Sequence, residues 1–379
     1  QFMSVKSNFF KLNKTDFDKY LNDLKTSNNS IHLLEDKFFF NQTVEISNMV
    51  ISLNKKILGL DFIINSFAEF SKKQIIQSFI IDEIESTNKI ENIFSTKHDI
   101  FKIISEASKS KEKKIISIAS AYQYLLEKKG TYIKSIQDIR NLYNIVLKDA
   151  IEKSDLPDGI YFRKEPVYIT NGINNIHVGI SDEEKINKLM NEFVNFYNSK
   201  NDVLIKMILC HFMFEYIHPF YDGNGRLGRF LFSNGIYFET KSYFSFAISS
   251  SLLHEKDKYY KALKIVNDKY EFGCLNAYVE TILIILNNQI DLLIKKINTE
   301  KAKLNDFKLS FKMTKSEVKI SKLISEASIF SYFGVSNEEI LKETQVSKRT
   351  LIYTLNKFKE KNILIDTKIG KFDYHKFII

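Results

Sequence analysis

Asp202-Val-Leu-Ile-Lys-Met-Ile-Leu-Cys-His-Phe-Met-Phe-Glu-Tyr-Ile-His218-Pro-Phe-Tyr-Asp-Gly-Asn-Gly-Arg-Leu-Gly-Arg229 joins two unlike halves. Asp202 to Ile217 is apolar nearly all round, which marks the central helix of a core rather than a surface helix, and Pro219 closes it. His218 to Arg229 then sets a histidine, a carboxylate, a glycine-rich turn and two arginines in one connection between helices. Few structural needs demand that combination.

Each residue type in the connection suggests its own chemistry. Gly223 and Gly225 let the backbone turn its N–H groups inward, ahead of a helix whose positive end begins near Asn224, which makes an anion site. Arg226 and Arg229 are three apart, so on that helix they share a face and can grip a polyphosphate with forked hydrogen bonds. Asp222 is the magnesium candidate, because one carboxylate plus phosphate oxygens is a usual way to hold Mg²⁺. His218 is the base candidate, since an imidazole there can take the proton of an attacking hydroxyl.

Competing readings are weaker. Gly223-x-Gly225-x-x-Gly228 matches a dinucleotide fingerprint, but a helix precedes it where a strand is needed. No Lys followed by Ser or Thr closes the loop, so it is not a Walker A sequence. His211, Glu215 and His218 recur at helical spacing, yet one helix supplies no further metal ligands, and His211 reads as a core histidine.

Those twelve residues resemble in full the signature of the Fic (filamentation induced by cyclic AMP) family, His-Pro-Phe-x-Asp/Glu-Gly-Asn-Gly-Arg-x-x-Arg. The resemblance implies a helical core that transfers AMP from ATP to a Ser, Thr or Tyr hydroxyl of a protein and releases pyrophosphate. His218 would be the base and Asp222 the magnesium ligand. Gly223, Asn224 and Gly225 would hold the α-phosphate, and Arg226 to Arg229, with Leu227 and Gly228 between them, the outer phosphates. Tyr259-Tyr260 and Asn267 resemble the family's adenine-pocket segment. Upstream, Thr87-Asn-Lys-Ile-Glu91-Asn92 resembles its inhibitory motif, Ser/Thr-x-x-x-Glu-Gly/Asn, in which Glu91 would pair with Arg229 and Thr87 would fix the glutamate. Removal of AMP by the same site stays open as an alternative.

Outward from the loop, Pro166-Val-Tyr-Ile-Thr170, Asn171-Gly172 and Asn175-Ile-His-Val178 read as two short strands around a turn. The hairpin looks like the family's flap, which aligns a target by main-chain pairing, although Gly179-Ile180 stands where prolines are common. A long helix is expected from about Cys274 to Lys303, followed by a lysine-rich linker. Beyond it, Ser336 can cap a helix to Glu343 and Ser347 a second to about Lys361, with a β-wing around Gly370. This tail reads as a winged helix that contacts DNA or protein, and Lys348, Arg349, Lys357 and Lys359 are the candidates to face phosphate.

With three prolines and twelve glycines in 379 residues, the fold class is mainly α. The expected units are an N-terminal helical region over 1–115 carrying the inhibitory helix, a catalytic core with its flap over 116–305, and the winged helix-turn-helix over 311–379. The net charge of +9 alone decides nothing, because lysine-rich usage is spread along the whole chain. Cys210 and Cys274 lack CxxC or histidine spacing and read as buried thiols. The apolar runs are too short to cross a bilayer and no export signal precedes Met3, so a cytoplasmic protein without membrane contact is expected. The expected partners are ATP with Mg²⁺ and a target protein, and a homodimer stays open.

Overall fold

The computed structural model describes residues 5–106, 113–128, 130–147, 150–170 and 175–378, and they are mainly helical. The chain starts with α1 (Val5–Lys11) and α2 (Lys14–Thr26), the second capped by Asn13, whose side chain accepts from the Asp16 N–H. An antiparallel hairpin follows, β1 (Ser30–Leu33) with β2 (Phe38–Asn41). The sequence reading had no account of this segment. Its turn runs through Leu34, Glu35 and Asp36, all left-handed, and Glu192 accepts the N–H groups of Leu34 and Glu35. Phe38, Phe39 and Phe40 are buried in succession, so the strand has no polar face for period-two alternation to reveal.

Next come α3 (Val44–Asn65), α4 (Glu69–Ile90), α5 (Lys97–Glu106), α6 (Lys113–Lys128) and α7 (Ile136–Val146). The strands β3 (Tyr168–Thr170) and β4 (Asn175–Val178) pair antiparallel, with Tyr168 opposite Val178, as the flap reading expected; its turn dipeptide Asn171-Gly172 lies outside the described residues. Then follow α8 (Glu183–Tyr197), α9 (Val203–Ile217), α10 (Asn224–Thr240), α11 (Ile248–His254), α12 (Lys256–Val266) and α13 (Asn276–Asp306). Asp202 caps α9, accepting from the N–H groups of Leu204 (2.9 Å) and Ile205 (3.2 Å). As expected, α9 is buried almost throughout and packs between α8 and α10. Contrary to the expectation that every apolar run is too short, α13 is long and apolar enough to span a bilayer. Its Ile282, Leu283, Ile285 and Leu286 are buried in the core.

The tail consists of α14 (Lys315–Phe330), β5 (Val335–Ser336), α15 (Asn337–Thr344), α16 (Lys348–Glu360), β6 (Leu364–Ile369) and β7 (Phe372–Phe377), in a sheet ordered β5-β7-β6. Ser336 caps α15 in a reciprocal box with Glu339, and Ser347 caps α16. Lys348 and Arg349 are exposed, but Lys357 pairs with Glu317 at 2.7 Å and Lys359 with Asp366 at 2.5 Å, so these two are not free to face phosphate as expected.

The tail is not a separate body on a free linker. Phe307, Leu309, Phe311 and Met313 pack against its core, and Phe70 of α4 joins the same cluster. Tyr332 donates to Asp82 of α4, at 2.6 and 2.8 Å to its two oxygens, and Lys97 of α5 lies 2.5 Å from the same carboxylate. Ser71 of α4 donates to Glu326 of α14 at 2.7 Å, out of solvent. The tail thus grips the helix that ends at Glu91.

Candidate active site

The centre of the site is the connection between α9 and α10. His218 terminates α9 in a left-handed conformation (φ 52°), its N–H donating to Phe214 O at 2.9 Å. Its Nδ1 lies 3.3 Å from the Glu215 carbonyl. A carbonyl only accepts, so the contact puts the ring proton on Nδ1 and leaves Nε2 as the basic nitrogen.

The loop after it is stapled from within. Asn224 Oδ1 accepts from the Phe220 N–H (2.9 Å) and its Nδ2 donates to Phe220 O (2.8 Å). Its side chain is therefore committed to the loop, and what Asn224 offers an anion is its backbone N–H, with those of Gly225 and Arg226, at the open start of α10. Gly223 adopts φ 84°, where a side chain would be strained and would strike Leu147. Leu227 lies in the core and Gly228 against α9, where a Cβ would meet Glu215, so only their backbone is available to a ligand.

The two arginines are both buried and both paired. Arg226 reaches Asp222 at 3.2 Å, and Asp222 keeps half of its side chain exposed. Arg229, 1% exposed, donates from Nε to Thr87 Oγ1 (2.9 Å) and from Nη2 to Thr87 O (3.2 Å) and Glu91 Oε1 (2.7 Å). Thr87 thus holds the arginine rather than the glutamate, a correction to the expected arrangement. Burial raises the Glu91 carboxyl, but the charge and hydrogen bond of Arg229, aided by Arg226 and His218, outweigh it and hold the group below the usual carboxylate range. Glu91 is the C-cap of α4, and Asn92 follows with φ 57°, which stops the helix so that Glu91 points at α10. A Cβ on Gly225 would collide with the Glu91 carboxyl, so glycine there is what admits it.

The other expected residues are less closely gathered. Tyr259 is buried, with its hydroxyl 2.9 Å from His211 Nε2, while Tyr260 is partly exposed and within electrostatic reach of Glu91 and Arg229. Asn267 caps the end of α12, and no hydrogen bond among the described residues brings it to the loop. His211 is a core residue: burial and the nearby Arg229 push its ring down to about 3, so it is neutral.

Two residues that the sequence reading passed over shape the site. Arg163, fully buried, donates from Nε to His218 O (2.9 Å) and from Nη1 to Ile180 O (2.7 Å) and Glu165 O (2.5 Å). It ties both ends of the flap to the end of α9, and burial lowers its guanidinium to about 10. Its partners are all carbonyls, which leave no side-chain pattern in a sequence. Tyr143 of α7 stacks on Phe220 with centroids 3.9 Å apart and planes 14° apart, bracing the loop from below.

This geometry agrees with comparisons to known proteins. The family model described as Fic/DOC matches residues 133–234. A Fido domain-containing protein of Dictyostelium discoideum is 34% identical over 137 residues, covering 35% of this chain and 85% of that protein. A protein named protein adenylyltransferase Fic, from Aedes aegypti, is 28% identical over 185 residues, covering 47% of this chain but only 33% of its own length. Among solved structures, a Fic family protein from Desulfovibrio desulfuricans G20 aligns over 89% of this chain and 97% of its own, with a TM-score of 0.55 at 17% identity. Fic-1 of C. elegans aligns over 78% and 81%, with a TM-score of 0.51 at 16% identity. These structural likenesses concern the fold.

Proposed function

Because the chain belongs to the Fic/DOC family, we propose that it is a protein adenylyltransferase, moving AMP from ATP to a Ser, Thr or Tyr hydroxyl and held back by Glu91. The observation that carries this reading is the complete loop His218 to Arg229, with the imidazole, the open start of α10 and two buried arginines converging on one connection. The resemblance to a named adenylyltransferase supports the same reading.

In the proposed reaction, the backbone N–H groups at the start of α10 bind the α-phosphate, and Arg226 and Arg229 bind the outer phosphates. Asp222 suits a magnesium ion: its carboxylate is half exposed, and its protein contacts are one N–H and one guanidinium, which leaves lone pairs for a metal shared with phosphate. Bound there, Mg²⁺ would offset phosphate charge. His218 Nε2 takes the hydroxyl proton, the hydroxyl oxygen bonds to the α-phosphorus, and the bond to the bridging β-phosphate oxygen breaks, releasing pyrophosphate. Arg163 keeps the flap edge beside His218, so a target segment paired with that edge would bring its hydroxyl to the base.

We read the tail as a winged helix that contacts a protein or DNA through Lys348, Arg349 and the exposed Tyr353 of α16. The decisive experiment is transfer of label from ATP to protein in cell extract. Label at the α-phosphate should appear in a protein band and label at the γ-phosphate should not. The reverse pattern would mean phosphoryl transfer and would overturn the reading.

A further inference from the structure

The proposed reaction makes no use of the Glu215 side chain, one turn before His218 on α9. A Cβ on Gly228 would lie 2.8 Å from Glu215 Oε1 and 3.5 Å from His211 Nδ1. Both atoms are buried without a hydrogen-bond partner among the described residues, so an acid and a neutral imidazole converge on one spot beneath the phosphate loop. The ionisable groups acting on Glu215 are Arg229 on α10, Glu91 at the end of α4, Tyr259 and Tyr260 on α12, and Tyr278 on α13, with His211 on its own helix. Arg229 is the cation among them.

We propose that Glu215 is a positioning residue for Arg229: its carboxylate replaces Glu91 as counter-charge when Glu91 leaves, and takes up one proton when the anionic nucleotide arrives. This rests on reading the loop as a nucleotide site. Two physical requirements lie behind it. A guanidinium 1% exposed is costly without a compensating charge. A carboxylate and a triphosphate cannot both crowd that guanidinium at full charge, so one of them gives way.

Glu215 is suited to give way near neutral pH. Burial pushes its carboxyl up to about 7, with Arg229 pulling the other way and Glu91 adding to the rise. Removing the Glu91 charge lowers this value, so Glu215 ionises and takes over as partner. Adding polyphosphate raises it again, so the proton returns from solvent, and no covalent bond changes. Nucleotide affinity therefore falls as pH rises through this range.

The test is titration calorimetry at about pH 8, in two buffers of different ionisation enthalpy, with a magnesium-bound non-hydrolysable ATP analogue. The full chain carries Glu91→Gly to free Arg229 and His218→Ala to remove the other imidazole titration, with and without Glu215→Gln. With Glu215 present, up to one proton should be taken up per nucleotide, and affinity should fall by as much as tenfold per pH unit. With Glu215→Gln both effects should vanish. Equal proton uptake and parallel pH profiles in the two chains overturn the proposal. Should Glu215→Gln fail to fold, infrared difference spectra of the Glu215 chain decide: a protonated-carboxyl band must appear on binding, and its absence overturns the proposal. Failure of the Glu215 chain to bind nucleotide defeats the functional reading as well, whereas binding without proton uptake defeats this inference alone.

Discussion

Replacing Glu91 by glycine should raise AMP transfer, and the structure fixes the size of the effect. The pair spans 2.7 Å, with the Arg229 side chain 2% and the Glu91 side chain 36% exposed. A charged hydrogen bond out of solvent is worth about 1.5–3 kcal/mol, whereas a surface ion pair is worth less than about 1 kcal/mol. Glu91 stands between these cases, so about 1.5 kcal/mol applies, or roughly tenfold in rate. The gain should be realised in full because Arg229 keeps two hydrogen bonds to Thr87 after Glu91 is gone and does not have to be repositioned. The substitution also clears the space beside Gly225 that a phosphate needs. The assay is incorporation of α-labelled AMP into the chain itself, as initial rates at saturating ATP. Glu91→Gln, which keeps a hydrogen bond without the charge, should give a smaller rise. If Glu91 also serves AMP removal, its loss slows that reaction and the net label still increases. A Glu91→Gly chain that is folded, binds ATP and transfers no faster than the parent would refute the restraint.

His218→Ala should lower transfer by roughly 10²- to 10⁴-fold while nucleotide affinity stays near the parent's, because the imidazole acts on the acceptor proton; near-parental turnover excludes that role. Asp222→Ala should weaken nucleotide binding in Mg²⁺ and hardly change it in EDTA; an unaltered Mg²⁺ dependence rules out Asp222 as ligand. His211, neutral in the fold at about 3, gains a proton on unfolding once pH falls below the ordinary histidine value, so stability declines from about pH 6.5 downward. His211→Gln should take up about one proton fewer on acid unfolding, seen as a shallower slope of stability against pH. Tyr332→Phe, which deletes the donor to Asp82, should cost about 1 kcal/mol of stability by denaturant unfolding and loosen the Glu91 restraint. A variant with parental stability and basal rate would show that the tail does not steady α4.

The catalytic loop was legible because its residue types answer to chemistry rather than to packing: few helix connections need His218, Asp222, Gly223 and Arg229 together. The inhibitory segment was legible only because the loop supplied its partner, and the role of Thr87 was misjudged. Spacing on one helix puts Thr87 near Glu91, but spacing cannot reveal that Arg229 arrives from another helix and takes both the hydroxyl and the carbonyl. Arg163 was illegible for a related reason, since a side chain bonded to distant carbonyls looks like any other arginine. In the tail, capping residues fixed α15 and α16 in the sequence, whereas the engagement of Lys357 and Lys359 with Glu317 and Asp366 depends on tertiary neighbours. The N-terminal hairpin was missed because Phe38, Phe39 and Phe40 are buried against both sides, leaving no alternation to read.

The left-handed backbone at His218 ties stability to function at a single residue. Such a conformation disfavours any side chain by about 1 kcal/mol, and glycine is the usual way to end a helix there. The position that would best close α9 is therefore the one that has to carry an imidazole. Selection for thermal robustness alone would replace His218 by glycine, yielding a sturdier and inert protein, so the histidine persists at a small permanent cost to the fold.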